Sequence, residues 1–193
     1  MSDVVVCPLD GKPRSERALL TARDAAQLLR GRLELFSAVE DPHMLGRREM
    51  YLTDLATSDQ PGCCPPTTVA VVVDPHAPQA LAERSAAPTV TTVMATSTRP
   101  LLHDGYVGSA AERVARLASR PTLLVGPNHR TRLRDVQRVV VCCDGSELSE
   151  TAIPEAQEWA ERIGVDLWVV TVLEASINRP QYGTASETHY VRD

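Results

Sequence analysis

The run at residues 3–9, DVVVCPL, most constrains what this chain can become. It carries no polar alternation, so neither face is suited to water. It reads as a strand covered on both sides, the position of a central strand in a parallel sheet. Asp10-Gly11 closes it with turn chemistry. Ser15 follows as the N-cap of a helix with apolar positions Ala18, Leu19, Ala22, Ala25, Ala26 and Leu29, and Gly31 stops that helix. Residues 33–39, LELFSAV, read as the second strand. The result is a β-α-β unit whose parallel strands require a right-handed crossover.

The pattern continues. Residues 40–66 are less regular, with a short helix over 45–56 and a Pro/Gly-rich loop, QPGCCPP, at 60–66. A β-branched third strand, TTVAVVV, spans 67–73. A short helix over 78–87 has Pro78 in its first turn, where a missing N–H costs nothing. A fourth strand covers 89–94, an amphipathic helix 109–118, and a fifth strand, PTLLV, 121–125. Strands alternating with helices predict an α/β fold: an open, doubly wound, mostly parallel five-stranded sheet. Such sheets bind ligands beyond the carboxyl ends of their strands, where the strand order reverses. With strands 1 and 4 flanking that point, Asp10 and the loop after strand 4 face one crevice.

That loop is rich in small and hydroxyl residues and runs into a helix start at Gly108-Ser109. A strand, such a loop and a helix N-terminus together make an anion site, because backbone N–H groups and the helix dipole both favour negative charge. Two plainer readings stand beside this one. Asp10-Gly11 is also a common strand-end turn, and Gly108-Ser109 a common helix start.

Residues 139–174 align without gaps on 5–40 at an offset of 134, the separation of Asp10 from Asp144. Asp144-Gly145 falls on Asp10-Gly11, Ser149-Glu150 on Ser15-Glu16, and Ala152, Ala156 and Ala160 on Ala18, Ala22 and Ala26. The matches fall at caps, core-facing helix positions and strand ends, as a duplicated domain requires. The expected organisation is a first α/β domain at 1–127, a polar linker at 128–137 and a partial second copy, β-α-β plus a polar tail, at 138–193. A β-α-β fragment cannot cover both faces of its strand pair. Either the chain is a piece of a longer tandem protein, or the half-domain is covered by the first domain or by another chain.

These residues resemble the universal stress protein family. VVVCPLDG, SERAL and LFSAVE look like the family's first strand, helix and second strand, and MATSTRP with GSAAERVARLASRPTLLV looks like its nucleotide loop, fourth helix and last strand. The resemblance implies an adenine-nucleotide alpha-hydrolase-like fold and a stress-response protein that binds ATP, carried with magnesium. Members that bind ATP have the pattern G-x2-G-x9-G-[S/T]. Here the spacing is kept, with Ala95 and Thr98 at the first two glycine positions and Gly108-Ser109 at the last pair. An alanine is a mild change where φ is negative, whereas a β-branched threonine resists φ > 0 and projects where backbone should approach phosphate. The resemblance gives Asp10 contact with ribose or base and Val39 a place against adenine. It gives phosphate to Ser109 and to the N–H groups after Gly108, with Arg99 as a charge partner. Pro8, Met94, Ala95, Thr98 and Ala110 complete the implied pocket. It also implies a homodimer through the edge strand at 121–125. The alternative is an interaction module of the same fold whose phosphate loop has degenerated and which acts through dimerisation alone.

Composition narrows the classes. The chain has 193 residues, is 43% hydrophobic and carries a net charge of −5, which suits a packed core and opposes non-specific nucleic-acid binding. No apolar run approaches the roughly 20 residues of a membrane span. A strand pattern begins directly after Met1-Ser2-Asp3, leaving no room for a signal peptide, so a cytoplasmic protein is expected. Five cysteines without a C-x-x-C indicate neither a disulfide framework nor zinc, and Cys7 and Cys142 read as buried thiols. No P-loop and no Ser-His-Asp or Cys-His arrangement is legible. His43, His76 and His103 lie in polar loop contexts, and Arg113 and Arg116 read as a solvated helix face. The expectation is a binding protein rather than an enzyme. ATP hydrolysis is the weakest reading, because no general base or metal-binding carboxylate is evident near the loop.

Overall fold

β1 (Val4–Pro8) is the middle strand of a five-stranded, all-parallel sheet with order β3-β2-β1-β4-β5. This is a computed structural model, and it describes residues 3–58, 65–96, 109–171 and 188–189. β1 lies in register with β2 (Arg32–Val39) from Val4 opposite Arg32 to Pro8 opposite Phe36, and with β4 (Val90–Ala95) on its other side. β3 (Thr67–Val73) flanks β2, and β5 (Thr122–Val125) flanks β4. The uninterrupted apolar run of β1 is thus explained: Val5, Val6 and Cys7 are fully buried beneath helices on both faces. Each such side chain contributes about 1.5–3 kcal/mol relative to exposure. Burial pushes the Cys7 thiol up to about 12, against the opposing pull of the Arg23 charge.

Strand parity sorts the core. Val4, Val6, Phe36, Val90 and Met94 share one face with α3 (Ala77–Arg84) and α4 (Ser109–Leu117), which supply Leu81, Ala111 and Val114. The alternate positions, among them Val5, Leu33 and Leu35, belong to the other face. There α1 (Leu19–Leu28) packs on β1 and β2, and α2 (Leu45–Thr57) on β2 and β3. α1 presents a stripe of fully buried alanines, Ala22, Ala25 and Ala26, which lets the helix approach the sheet closely.

Two local expectations are revised. Ser15 is not an N-cap. It lies inside a 3₁₀ turn (Ser15–Ala18) that precedes α1, and its hydroxyl serves the Asp10 turn instead. Gly31 does not supply the left-handed stop of α1, because Arg30, at φ 49°, takes that conformation. Gly31 is needed for close approach: a Cβ there would stand 2.2 Å from the Asp3 carbonyl oxygen, where the chain enters β2.

The chain divides after Arg132 into two units. Within the first, Arg132 is clamped by Asp24 of α1, a carboxylate only 4% exposed, with Nε–Oδ2 at 2.9 Å. In the second, β6 (Arg138–Cys143) pairs in parallel with β7 (Asp166–Thr171), with α5 (Glu147–Glu150) and α6 (Ala152–Ile163) between them. A two-residue strand, β8 (Thr188–His189), adds antiparallel to β7 within the segment read from sequence as a polar tail. Val141 and Cys143 are buried, whereas Val140 and Cys142 are exposed. The expected burial of Cys142 is therefore corrected. Odd-numbered positions of β6 are the covered ones, and Cys142 belongs to the alternate face, which in this unit is open. Among the described residues, no helix is long and apolar enough to cross a membrane.

Candidate functional site

The order β3-β2-β1-β4-β5 reverses direction between β1 and β4, and a cavity of about 540 Å³ opens at their carboxyl ends. Its size lies within the roughly 300–1,000 Å³ usual for small-molecule sites. Pro8, Leu9 and Asp10 line it from the end of β1, Phe36, Ser37 and Ala38 from β2, and Met94, Ala95 and Thr96 from β4. α3 adds Ala77, Pro78 and Leu81, and α4 adds Ala110, Ala111 and Val114. The floor is apolar because it is the exposed end of the α3–α4 core cluster. Its side-chain hydroxyls are already committed: Ser37 donates to the Leu9 carbonyl at 2.7 Å, and Thr96 to the Val125 carbonyl at 3.2 Å.

The rim is polar and comes from the turn after β1. Asp10 accepts the Lys12 N–H at 3.0 Å, and its own N–H donates to Ser15 Oγ at 3.2 Å. Ser15 Oγ in turn donates to the Lys12 carbonyl at 2.8 Å. Gly11 makes this loop possible, with φ at 78°, where an L side chain is strained, and with the Arg48 guanidinium 2.5 Å from the place a Cβ would occupy. Arg48 in turn sits over the Tyr51 ring, 5.8 Å from its centroid, and the Tyr51 hydroxyl donates to Glu16 at 2.8 Å. Burial, together with the hydrogen bond to Glu16 and its negative charge, raises the Tyr51 pKa well above its ordinary value. α2 is thereby fastened against the turn that carries Asp10, whose side chain remains 57% exposed.

The same turn recurs at the offset of 134. Asp144 accepts the Ser146 N–H at 2.9 Å, its N–H donates to Ser149 Oγ at 3.2 Å, and Ser149 Oγ donates to the Ser146 carbonyl at 2.9 Å. Gly145 has φ 85°. Hydrogen bonds from Ser146, first through its side chain and then through its backbone, with Ser149, lower the Asp144 pKa to about 2.

Of the residues singled out from sequence, Pro8, Asp10, Met94, Ala95 and Ala110 meet at this cavity. Outside glycine, Arg30 alone among the described residues has positive φ, so Ala95 sits in ordinary extended backbone and its methyl group carries no strain. Val39 is buried but is not among the lining residues, because its side chain alternates to the opposite face of β2 and Ala38 takes the place against the cavity. Thr98, Arg99 and Gly108 lie outside the described residues, as does the side chain of Ser109, whose backbone begins α4. Sequence reading missed Lys12, Arg14 and the α3 wall. Counting parity along β2 from the buried Phe36 would have found Ala38, but α3 has no chemical motif to announce it.

In an open α/β sheet, the crevice at the switch point beyond the carboxyl ends of the strands is where ligands bind. No protein-family model matches the chain, and no curated protein matches it. Among solved structures it is similar to a universal stress protein from Archaeoglobus fulgidus, with a TM-score of 0.68 and 18% identity over 90% of this chain and 68% of that one. It is also similar to a universal stress protein in complex with cAMP, with a TM-score of 0.51 and 20% identity over 66% of this chain and 98% of that one. The fold is that of the universal stress proteins.

Proposed function

We propose that the first unit binds an adenine nucleotide and that the protein is a nucleotide-responsive regulator of the universal stress type. The observation that carries this is the convergence of the Asp10 turn, the end of β4 and the start of α4 on one apolar-floored cavity. In this reading the base enters the apolar floor, Asp10 holds the ribose, and Ala95 and Ala110 flank the path to the phosphates. Thr98, Arg99, Gly108 and Ser109 complete the phosphate side by their place in the sequence pattern. The cAMP held by one structural neighbour supports an adenine nucleotide as the ligand class. Magnesium would arrive with the nucleotide, coordinated by its phosphates. Isothermal titration with ATP, AMP and cAMP is the test. Heat of binding is expected for at least one of them and is expected to weaken in Asp10→Ala. Silence for all three at millimolar concentration sinks the reading.

The interaction-module reading is favoured by Thr98 alone and predicts that silence. Both readings leave β5 at a sheet edge. An edge strand seeks a partner, and we assign it to a second copy of the chain. Light scattering should give the mass of a dimer, and a clean monomer at micromolar concentration counts against it.

A further inference from the structure

The two copies of the Asp-Gly turn share a backbone and differ in charge. At the offset of 134, Lys12 stands where the second unit has Ser146, Pro13 where it has Glu147, and Arg14 where it has Leu148. Each turn leads directly into helical backbone, at Ser15 in the first unit and Glu147 in the second. The N-terminal end of a helix carries partial positive charge and favours acidic residues. Both units follow this within the first turn, with Glu147 and Glu150 in the second and Glu16 in the first. The first unit places two cations just ahead of its helical segment, where they work against the dipole. One of them is the chain's only lysine.

Local structure gives these cations little employment. Lys12 Nζ lies 3.8 Å from Asp10 Oδ2, with both side chains more than half exposed, a pairing worth little in water. Arg14 is exposed and makes no ion pair or side-chain hydrogen bond among the described residues. Both line the cavity, beside Asp10, and they are the only cationic residues among its described lining. Below them the floor is apolar and its hydroxyls are spent on the protein's own carbonyls. A ligand that fits would place an apolar ring system inside and negative charge at the rim.

We infer that Lys12 and Arg14 form an anion-reading rim, so that the cavity selects phosphorylated nucleosides over their parent nucleosides through the β1 turn. This rests on the nucleotide reading above and deepens it by assigning a phosphate contact to two residues of the β1 turn. Charge-assisted contacts of two cations with one phosphate are expected to favour AMP over adenosine by about tenfold or more at low salt. The preference should shrink as ionic strength rises, because the contacts lie at an exposed rim.

The test is titration of the full-length protein with adenosine, AMP and inorganic phosphate at low and high salt. It is repeated on the double variant Lys12→Ser/Arg14→Leu, which gives the first turn the second unit's residues. Ser146 and Leu148 already occupy this backbone, so the variant should fold, and an unchanged melting temperature would show that it does. The expected result is a salt-sensitive AMP preference in the wild type that falls toward one in the variant. Adenosine binding as tightly as AMP in the wild type overturns the inference while leaving the nucleotide reading intact, and needs no variant. A preference that survives the double substitution does the same. If neither purine compound binds, or only inorganic phosphate does, the inference fails, and the reading it rests on fails with it only when ATP and cAMP are silent as well.

Discussion

Arg84→Ala should lower the free energy of unfolding by about 3 kcal/mol, read as a shift in the midpoint of urea denaturation. The reason lies in β2, where Glu34 interrupts an otherwise apolar strand and is only 5% exposed. Its carboxylate is held by Arg84 at the end of α3, with Nε at 2.7 Å from Oε1 and a second contact from Nη2 to Oε2. Removing the arginine leaves a buried carboxylate without its counter-charge, and the desolvation cost of that charge is no longer offset. The estimate is at the lower end of the range for broken buried pairs because the Arg84 side chain is itself 38% exposed. Glu34→Gln in the Arg84→Ala background should recover part of the loss, because the uncompensated charge is gone. No recovery would mean that the pair contributes packing rather than charge balance. The pair also matters to the cavity. Next to it, Thr92 of β4 donates to Ser85 at 2.7 Å in a buried contact. Together these two links fix the end of α3, the helix that supplies Ala77, Pro78 and Leu81 to the cavity wall.

The strands were legible because burial on two faces leaves a plain signature. DVVVCPL has no polar alternation, and β1 is the central strand. The placement of Asp10 and the end of β4 on one cavity followed from strand order and the switch-point rule. What escaped depends on side-chain direction and on contacts distant in sequence. Val39 and Ala38 are neighbours in an apolar run, and only the pleat decides which of them faces the ligand. Ser15 looks like a helix cap by its position before a helical pattern, but its hydroxyl is taken by the turn five residues earlier. Gly31 looks like a helix stop, yet its role is set by Asp3, the residue ahead of β1. Cys142, read as buried, is exposed and Cys143 is the buried one, because an adjacent pair in a strand does not reveal which residue turns inward. Lys12 and Arg14 carried no motif, and they gain meaning only beside the matching turn of the second unit.

Ala110→Glu should weaken nucleotide binding by about one to two orders of magnitude while leaving the fold at least as stable. Ala110 is the second residue of α4, is exposed, and lines the cavity. A carboxylate there meets the helix dipole favourably and should stabilise α4 by about 0.3–1 kcal/mol. The same carboxylate stands at the cavity mouth, where it would face the ligand's phosphate. Two unit charges 4 Å apart repel by about 4 kcal/mol at the effective dielectric of a protein surface, and side-chain rotation relieves part of that. Opposite effects on stability and affinity separate this outcome from simple damage to the fold. Ala115→Glu is the control, because Ala115 is exposed on the same helix and lies outside the cavity. It adds the same charge to α4 without placing it before the ligand, and nucleotide affinity should be close to that of the wild type. Equal losses in both variants would mean that α4 senses charge only through the long-range field, and the phosphate would then lie elsewhere than between α4 and the Asp10 turn. Titration of AMP into the two variants at the same ionic strength decides the matter.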